Sequence, residues 1–316
     1  MDVMVPAEDR RAIVERIFIP VNRDDFLVPL ISAQMLAPDG LGGVANAFRR
    51  NIQAVLSTAT VPFHLANASV QQLRLQAIGT AERIRVRTLV DHGTTEKEAG
   101  QIATQNTLTK FEAEVRTEAD KYGERVLRHL QEALRDDEFS QGAAELLGQC
   151  AILTWSALEV LAQDTFIELL NATPKLTSLL FADESARKLF QLKSINIDTI
   201  VENDFDLSHR MGHVLVRSRP IDSIPVMRTT FSALLPGAAA LHGALANPLL
   251  WTLNQRRHLI VHKRGVVDRE YLEKTGESID AGMTLNITAT ELEHYLRAVI
   301  DFGAELLGSA LRTVLI

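Results

Sequence analysis

One cysteine in 316 residues, Cys150, excludes an internal disulfide and fits a reducing cytoplasm, where it reads as a small buried apolar residue. Aromatic residues are scarce at 5%, while Ala, Leu, Glu, Gln and Arg recur throughout, a balance that favours helix. No apolar run approaches the roughly 20 residues needed to cross a bilayer, so no membrane partner is expected. The N-terminal MDVMVPAEDRR lacks the basic-then-apolar layout of a secretory leader. A net charge of −7 argues against a generally basic nucleic-acid coat. At 46% hydrophobic and 23% charged, the composition is that of an ordinary globular protein long enough for about two domains.

Local charge differs from the average. Between His209 and Arg228 the chain carries Arg210, Arg217, Arg219 and Arg228 against one acid, Asp222. Residues 256–264 add Arg256, Arg257, Lys263 and Arg264 with no acid. Two such patches on an acidic chain would attract a polyanion locally.

In chain order, residues 1–66 read as short helices broken by Pro20, Pro29, Pro38, Pro62 and the Gly40–Gly43 cluster. That cluster, DGLGGV, lacks the lysine and Ser/Thr of a phosphate-binding loop and is expected to be a plain loop. Asn67 or Ser69 is placed to start a helix carrying Val70, Leu73, Ala77, Ile84 and Leu89 on its apolar side, ended by Asp91-His92-Gly93. Thr95 with Glu98 forms a capping box. One long polar helix, or two in line, follows, with a seam of Phe111, Val115, Tyr122, Val126, Leu130 and Leu134 that requires a partner helix.

The pattern resets near Asp136–Gly142. It predicts an all-α protein with a helical region at 1–140, serving regulation or assembly, and an up-and-down bundle at 141–316. The second part opens on an apolar helix in which Trp155, Leu158, Leu161 and Ala162 fill most of the circumference, so it should be a buried spine. Glu159 and Asp164 on it face solvent, or else orient an arginine from elsewhere. His209 and His213 stand at i, i+4, a spacing that suits zinc, but no third ligand accompanies them and no metal is expected. Thr288 with Glu291 is a second capping box and opens the last helix.

The stretch that bears most on function is Trp251–Asp268, WTLNQRRHLIVHKRGVVD. Leu253, Arg257 and Ile260 fall at helical spacing, which places Arg257 within the apolar stripe. A guanidinium left there without a partner costs several kcal/mol, about 3–5 when a pair is broken, so it needs a partner or a role. Gly265 suits the position past the helix end, and His262, Lys263 and Arg264 suit the negative pole of the helix dipole.

The segment RRHLIVHKRGVVDREYLEKTG, preceded by a spine helix with a WSALE core and followed by an amphipathic helix, resembles the HEPN superfamily, whose ribonucleases carry an arginine, a polar residue, a short spacer and a histidine. Arg257 to His262 fits that pattern, with His258 where the family more often has asparagine, and Arg256 also satisfies the spacing. The resemblance covers roughly residues 143–316. It implies RNA cleavage without metal or cofactor by a homodimer, in the role of a toxin or antiviral effector with a regulatory partner or antitoxin. Catalysis would fall to Arg257, His262 and His258, and RNA binding to Arg256, Lys263, Arg264, Arg217 and Arg219. Histidine exchanges a proton near neutrality, and arginine holds a phosphate through a planar fork. Arg257 and His262 lie about 140° apart on an ideal helix. Pairing of two motifs across a dimer, or unwinding of the last turn near Gly265, would bring them together. The same resemblance implies, as the alternative, a non-catalytic helical module that binds RNA, nucleotide or protein.

Overall fold

Helix-favouring composition and well-formed caps give an all-α structure. The computed structural model describes residues 4–19, 26–31, 39–90, 92–191 and 197–315, and among them no strand forms. The chain divides into two units, residues 1–19 with 59–144 and residues 20–58 with 145–316. Residues 20–58 therefore belong with the C-terminal unit, not with a region ending at 140.

The first unit holds α1 (Ala7–Arg16), α4 (Val61–Val90), α5 (Glu96–Thr117) and α6 (Ala119–Ala133). Thr95 caps α5 reciprocally: its hydroxyl accepts from the Glu98 N–H at 3.3 Å, and its own N–H donates to Glu98 Oε2 at 3.1 Å. The long polar helix is interrupted at Glu118, which leaves helical geometry at φ −124°, ψ 35° and separates α5 from α6. The seam finds its partners within the same chain. Tyr122, Val126, Leu130 and Leu134 are buried with Val5, Ile13, Ile17, Ala66 and Val70, and Phe111 and Val115 pack against that cluster.

The apolar side expected of α4 is displaced. Val70, Ile78 and Val86 are buried, while Leu73 and Ile84 are exposed; the side chain of Leu89, with Pro20, Pro38 and Asp91, lies outside the described residues. The packed face includes a carboxylate, Glu82, buried and held by Lys110 and by Asn106 at 3.2 Å. An ionic residue on the inner face makes hydrophobic periodicity misleading there.

The second unit contains α2 (residues 26–31), α3 (Asp39–Ala59) and α7 (Asp137–Ala172) from residue 145 onward. A series of shorter helices follows: α8 (Thr177–Ala182), α9 (Glu184–Leu189), α10 (Ile197–Glu202), α11 (Met211–Ser218), α12 (Ile224–Leu234) and α13 (Ala239–Leu245). The unit closes with α14 (Pro248–Lys263), α15 (Arg269–Thr275) and α16 (Ala289–Val314). The Gly40–Gly43 cluster is helical, inside α3, where a Cβ at Gly40 would collide with the Glu168 side chain of α7. The cluster packs within helix–helix contact rather than forming a turn, and the end of the flexible Glu168 side chain lies against Gly40. The expected reset near 136–142 corresponds to a break at 134–136 between α6 and α7, and the boundary between the units falls just beyond it, between residues 144 and 145 of α7.

Trp155, Leu158, Leu161 and Ala162 are all buried, so α7 is a spine as the sequence predicts. At Gly303 on α16 an added Cβ would stand 3.0 Å from Leu161 and closer still to the Phe48 ring, so α3, α7 and α16 meet there. Burying large apolar side chains such as Phe48, Trp155, Phe302 and Leu306 supplies about 1.5–3 kcal/mol each.

Candidate functional site

The α14 helix is started by Asn247, whose side chain accepts from the Leu249 N–H at 3.0 Å, with Pro248 in the first turn. Leu250, Leu253, Arg256 and Leu259 are its buried residues, together with Gln255. The arginine within the apolar stripe is therefore Arg256, not Arg257, a rotation of about 100° from the sequence expectation.

Arg256 was expected to touch RNA, and its side chain is instead only 10% exposed. Its Nη2 lies 3.1 Å from Glu291 Oε1 and 3.3 Å from Glu277 Oε1, and the guanidinium sits 5.9 Å from the centre of the Tyr271 ring. Glu291 also completes the capping box of α16 by accepting from the Thr288 N–H at 2.9 Å, and Glu277 Oε2 accepts from the Tyr271 hydroxyl at 3.0 Å. Burial opposes the charge on Arg256, yet Tyr271 and Glu291 around it hold its pKa above the ordinary arginine value. This ring of groups joins α14 to α15 and to the start of α16. The sequence signals Glu291 only as a cap, and nothing in it singles out Glu277.

Arg257 is half-buried, and its charge acts on Glu159 of α7. Its counterpart is Glu159, also half-buried. Burial pushes the Glu159 carboxyl above the usual carboxylate range, while the Trp155 N–H and the charge of Arg257 pull it down and Asp222 pushes it further up. Asp164 is half-buried and raised by burial as well. A carboxylate of the spine helix thus stands in the field of Arg257.

His258 and His262 are exposed on the far side of α14, their rings 4.5 Å apart and tilted by 49°. Helical geometry continues to Lys263, so no unwinding between 257 and 262 brings Arg257 onto the histidine face. The helix ends at Arg264 (φ 53°) and Gly265 (φ 79°); the Arg264 N–H donates to the Ile260 carbonyl at 3.1 Å and the Gly265 N–H to the Leu259 carbonyl at 3.2 Å. A Cβ on Gly265 would stand 2.9 Å from the Leu285 carbonyl oxygen, and Leu285 N–H donates to Gly265 O at 2.9 Å. A short antiparallel pairing, with a bridge between Val266 and Thr284, thereby fixes the chain leaving the site. Lys263 and Arg264 are both exposed, and Lys263 Nζ lies 3.8 Å from Asp268, the cap of α15.

The other basic patch is engaged in local structure. Arg217 pairs with Glu202 at 3.0 Å, Arg219 ends α11 with its Nε buried, and Arg228 donates to the Leu245 carbonyl at 3.2 Å. His209 and His213 are drawn to one residue, Asn171. His209 Nδ1 lies 3.2 Å from its carbonyl and His213 Nδ1 2.9 Å from its side-chain amide, while the Gly212 N–H donates to its Oδ1 at 3.0 Å. These contacts close the end of the spine helix.

No protein-family model, curated protein or solved structure matches the chain.

The chemistry of the site follows from its own parts. Two adjacent exposed imidazoles can accept and return protons. Exposed Lys263 and Arg264 beside them favour an anion, and Arg257 carries a guanidinium whose Nε is buried without a hydrogen-bond partner among the described residues.

Proposed function

We propose that the chain is a metal-independent endoribonuclease of HEPN type that acts as a homodimer. The observation that carries this reading is the exposed His258–His262 pair, 4.5 Å apart, at the cationic end of the helix that also bears Arg257. In the proposed reaction one imidazole takes the proton of a ribose 2′-hydroxyl, and the 2′-oxygen forms a bond to the adjacent phosphorus. The P–O5′ bond then breaks as the second imidazole gives its proton to the leaving oxygen. The products are a 2′,3′-cyclic phosphate and a 5′-hydroxyl, which limits the substrate to RNA. Arginine stabilises charge developing on the non-bridging oxygens. Within one chain Arg257 points about 140° away from His262, so a second copy supplies the missing partner in this scheme. In the cell such an enzyme serves as a toxin or defence effector restrained by a partner.

Half-burial of Arg257 and its angular separation from His262 favour a second reading, a helical module that binds RNA, nucleotide or protein without cutting it. Incubation of a mixed RNA with the purified chain in EDTA separates the two. Cleavage with cyclic-phosphate ends supports the nuclease, and retention of intact RNA in a complex supports the binding module.

A further inference from the structure

His258 and His262 have a second capacity besides proton transfer. They stand one helical turn apart on α14, both exposed, with ring centres 4.5 Å apart. Neither ring makes a hydrogen bond among the described residues, so the lone pair of each neutral imidazole is open to solvent. A metal–nitrogen bond of about 2.0–2.1 Å places an ion roughly 3.2 Å from each ring centre, and two such bonds at about 90–109° set the centres about 4.5–5.2 Å apart. The observed 4.5 Å falls in that span. Helical geometry that persists to Lys263 holds the two side chains at this spacing before any ion arrives, which lowers the ordering cost of binding.

The other histidine pair at this spacing is built differently. His209 precedes α11, so no continuous helix aligns it with His213, and both rings are drawn onto Asn171. Charges of both signs surround His258 and His262. Lys263 and Arg264 are cations, but Lys263 lies 3.8 Å from Asp268, and Glu270 of α15 interacts with the charge of His258. Exposed charges are screened over about 8 Å at physiological salt, whereas coordination acts at contact. Among the described residues no further His, Cys, Asp or Glu completes a group of three, which leaves the remaining positions of an ion to water.

We propose that His258 and His262 chelate a divalent transition-metal ion, zinc or copper, and that the bound ion silences the site. Two imidazoles suit those ions, whereas magnesium and calcium prefer oxygen ligands. Coordination occupies the lone pair that would take the ribose proton, and it displaces the proton that would pass to the leaving oxygen. The ion is thus a reversible inhibitor, removed by a chelator. The inhibition rests on the ribonuclease reading; the metal site itself does not.

The test is calorimetric titration of the full chain with zinc chloride, with copper and magnesium as separate arms. Wild type, His258→Ala, His262→Ala and His213→Ala are compared after circular dichroism confirms equal helix content. The expected result is one zinc ion per chain, with binding weakened about tenfold or more by His258→Ala and by His262→Ala, because each removes half of the chelate, and unchanged by His213→Ala. Copper should bind more tightly than zinc, and magnesium not at all. Saturating zinc should then stop RNA cleavage by wild type, and excess EDTA should restore it. Zinc binding of this pattern in a chain that cuts no RNA in EDTA keeps the metal site and refutes the ribonuclease reading. Cleavage that zinc bound at the pair leaves unchanged overturns the inhibition. No saturable zinc binding, or binding untouched by both His258→Ala and His262→Ala, overturns the metal site whatever the nuclease does.

Discussion

Replacing Arg256 by Met would keep most of the side-chain volume and remove only the charge and its donors. In the wild type, Nη2 serves Glu291 at 3.1 Å and Glu277 at 3.3 Å, and those side chains are 31% and 25% exposed. Loss of one partner from a fully buried pair costs about 3–5 kcal/mol. Both carboxylates reach some solvent, so the expected loss is smaller, about 2–3 kcal/mol. In a domain of this size that lowers the melting temperature by roughly 5–10 °C. Arg256→Lys retains the charge but not the fork, and falls between the two. A thermal melt and a urea titration of each variant measure the effect. Combining Arg256→Met with Glu291→Gln should cost less than the sum of the single changes, because the two groups share one interaction. A melting temperature for Arg256→Met within about 1 °C of wild type would refute the reading of Arg256 as the tie between α14 and α16.

Three further outcomes follow from the same structure. Gly265→Ala forces a Cβ to 2.9 Å from the Leu285 oxygen at φ 79° and should destabilise by about 1–3 kcal/mol in urea titration, more than Gly276→Ala, where φ is 69° but nothing lies within 4 Å. Glu114 is held below the usual carboxylate range, chiefly by the Arg74 hydrogen bond, so its contribution is present above the unfolded-state value near about 4.3 and disappears as pH falls through the lower folded value. The urea midpoints of wild type and Glu114→Gln should therefore differ at neutral pH and converge in acid. Glu159 has the opposite sign: burial raises its folded value, so the ionised group costs stability once pH rises above the unfolded-state value, and Glu159→Gln should be more stable than wild type at pH 8 and equal to it where both states are protonated in acid.

Much of the architecture was legible because it is written in local chemistry. Thr95 with Glu98 and Thr288 with Glu291 form the reciprocal caps that their spacing predicts. The seam from Phe111 to Leu134 and the spine around Trp155 follow from helical periodicity. The failures arise where a non-local partner overrides the pattern. Glu82 is inward because Lys110 and Asn106 await it, and the Gly40–Gly43 cluster is helical where its glycines suggest a loop. At the site itself, adjacent arginines at 256 and 257 have equal claims on the apolar stripe by sequence. The choice falls to Arg256 because Glu277 and Glu291, 21 and 35 residues further on, are brought beside it only by the folded chain. His258 and His262 were predictable neighbours because i, i+4 spacing alone sets that pairing.

The central claim, that Arg257 and His262 act together across a dimer, is tested most directly by RNA cleavage in EDTA with Arg257→Ala and His262→Ala assayed singly and after mixed refolding. Each variant alone should be inactive while remaining folded and dimeric. An equal mixture should recover about one quarter of wild-type activity, since half of its dimers carry one site in which both residues are intact. Variants that cut RNA as well as wild type, or a mixture that recovers nothing while heterodimers form, would contradict it.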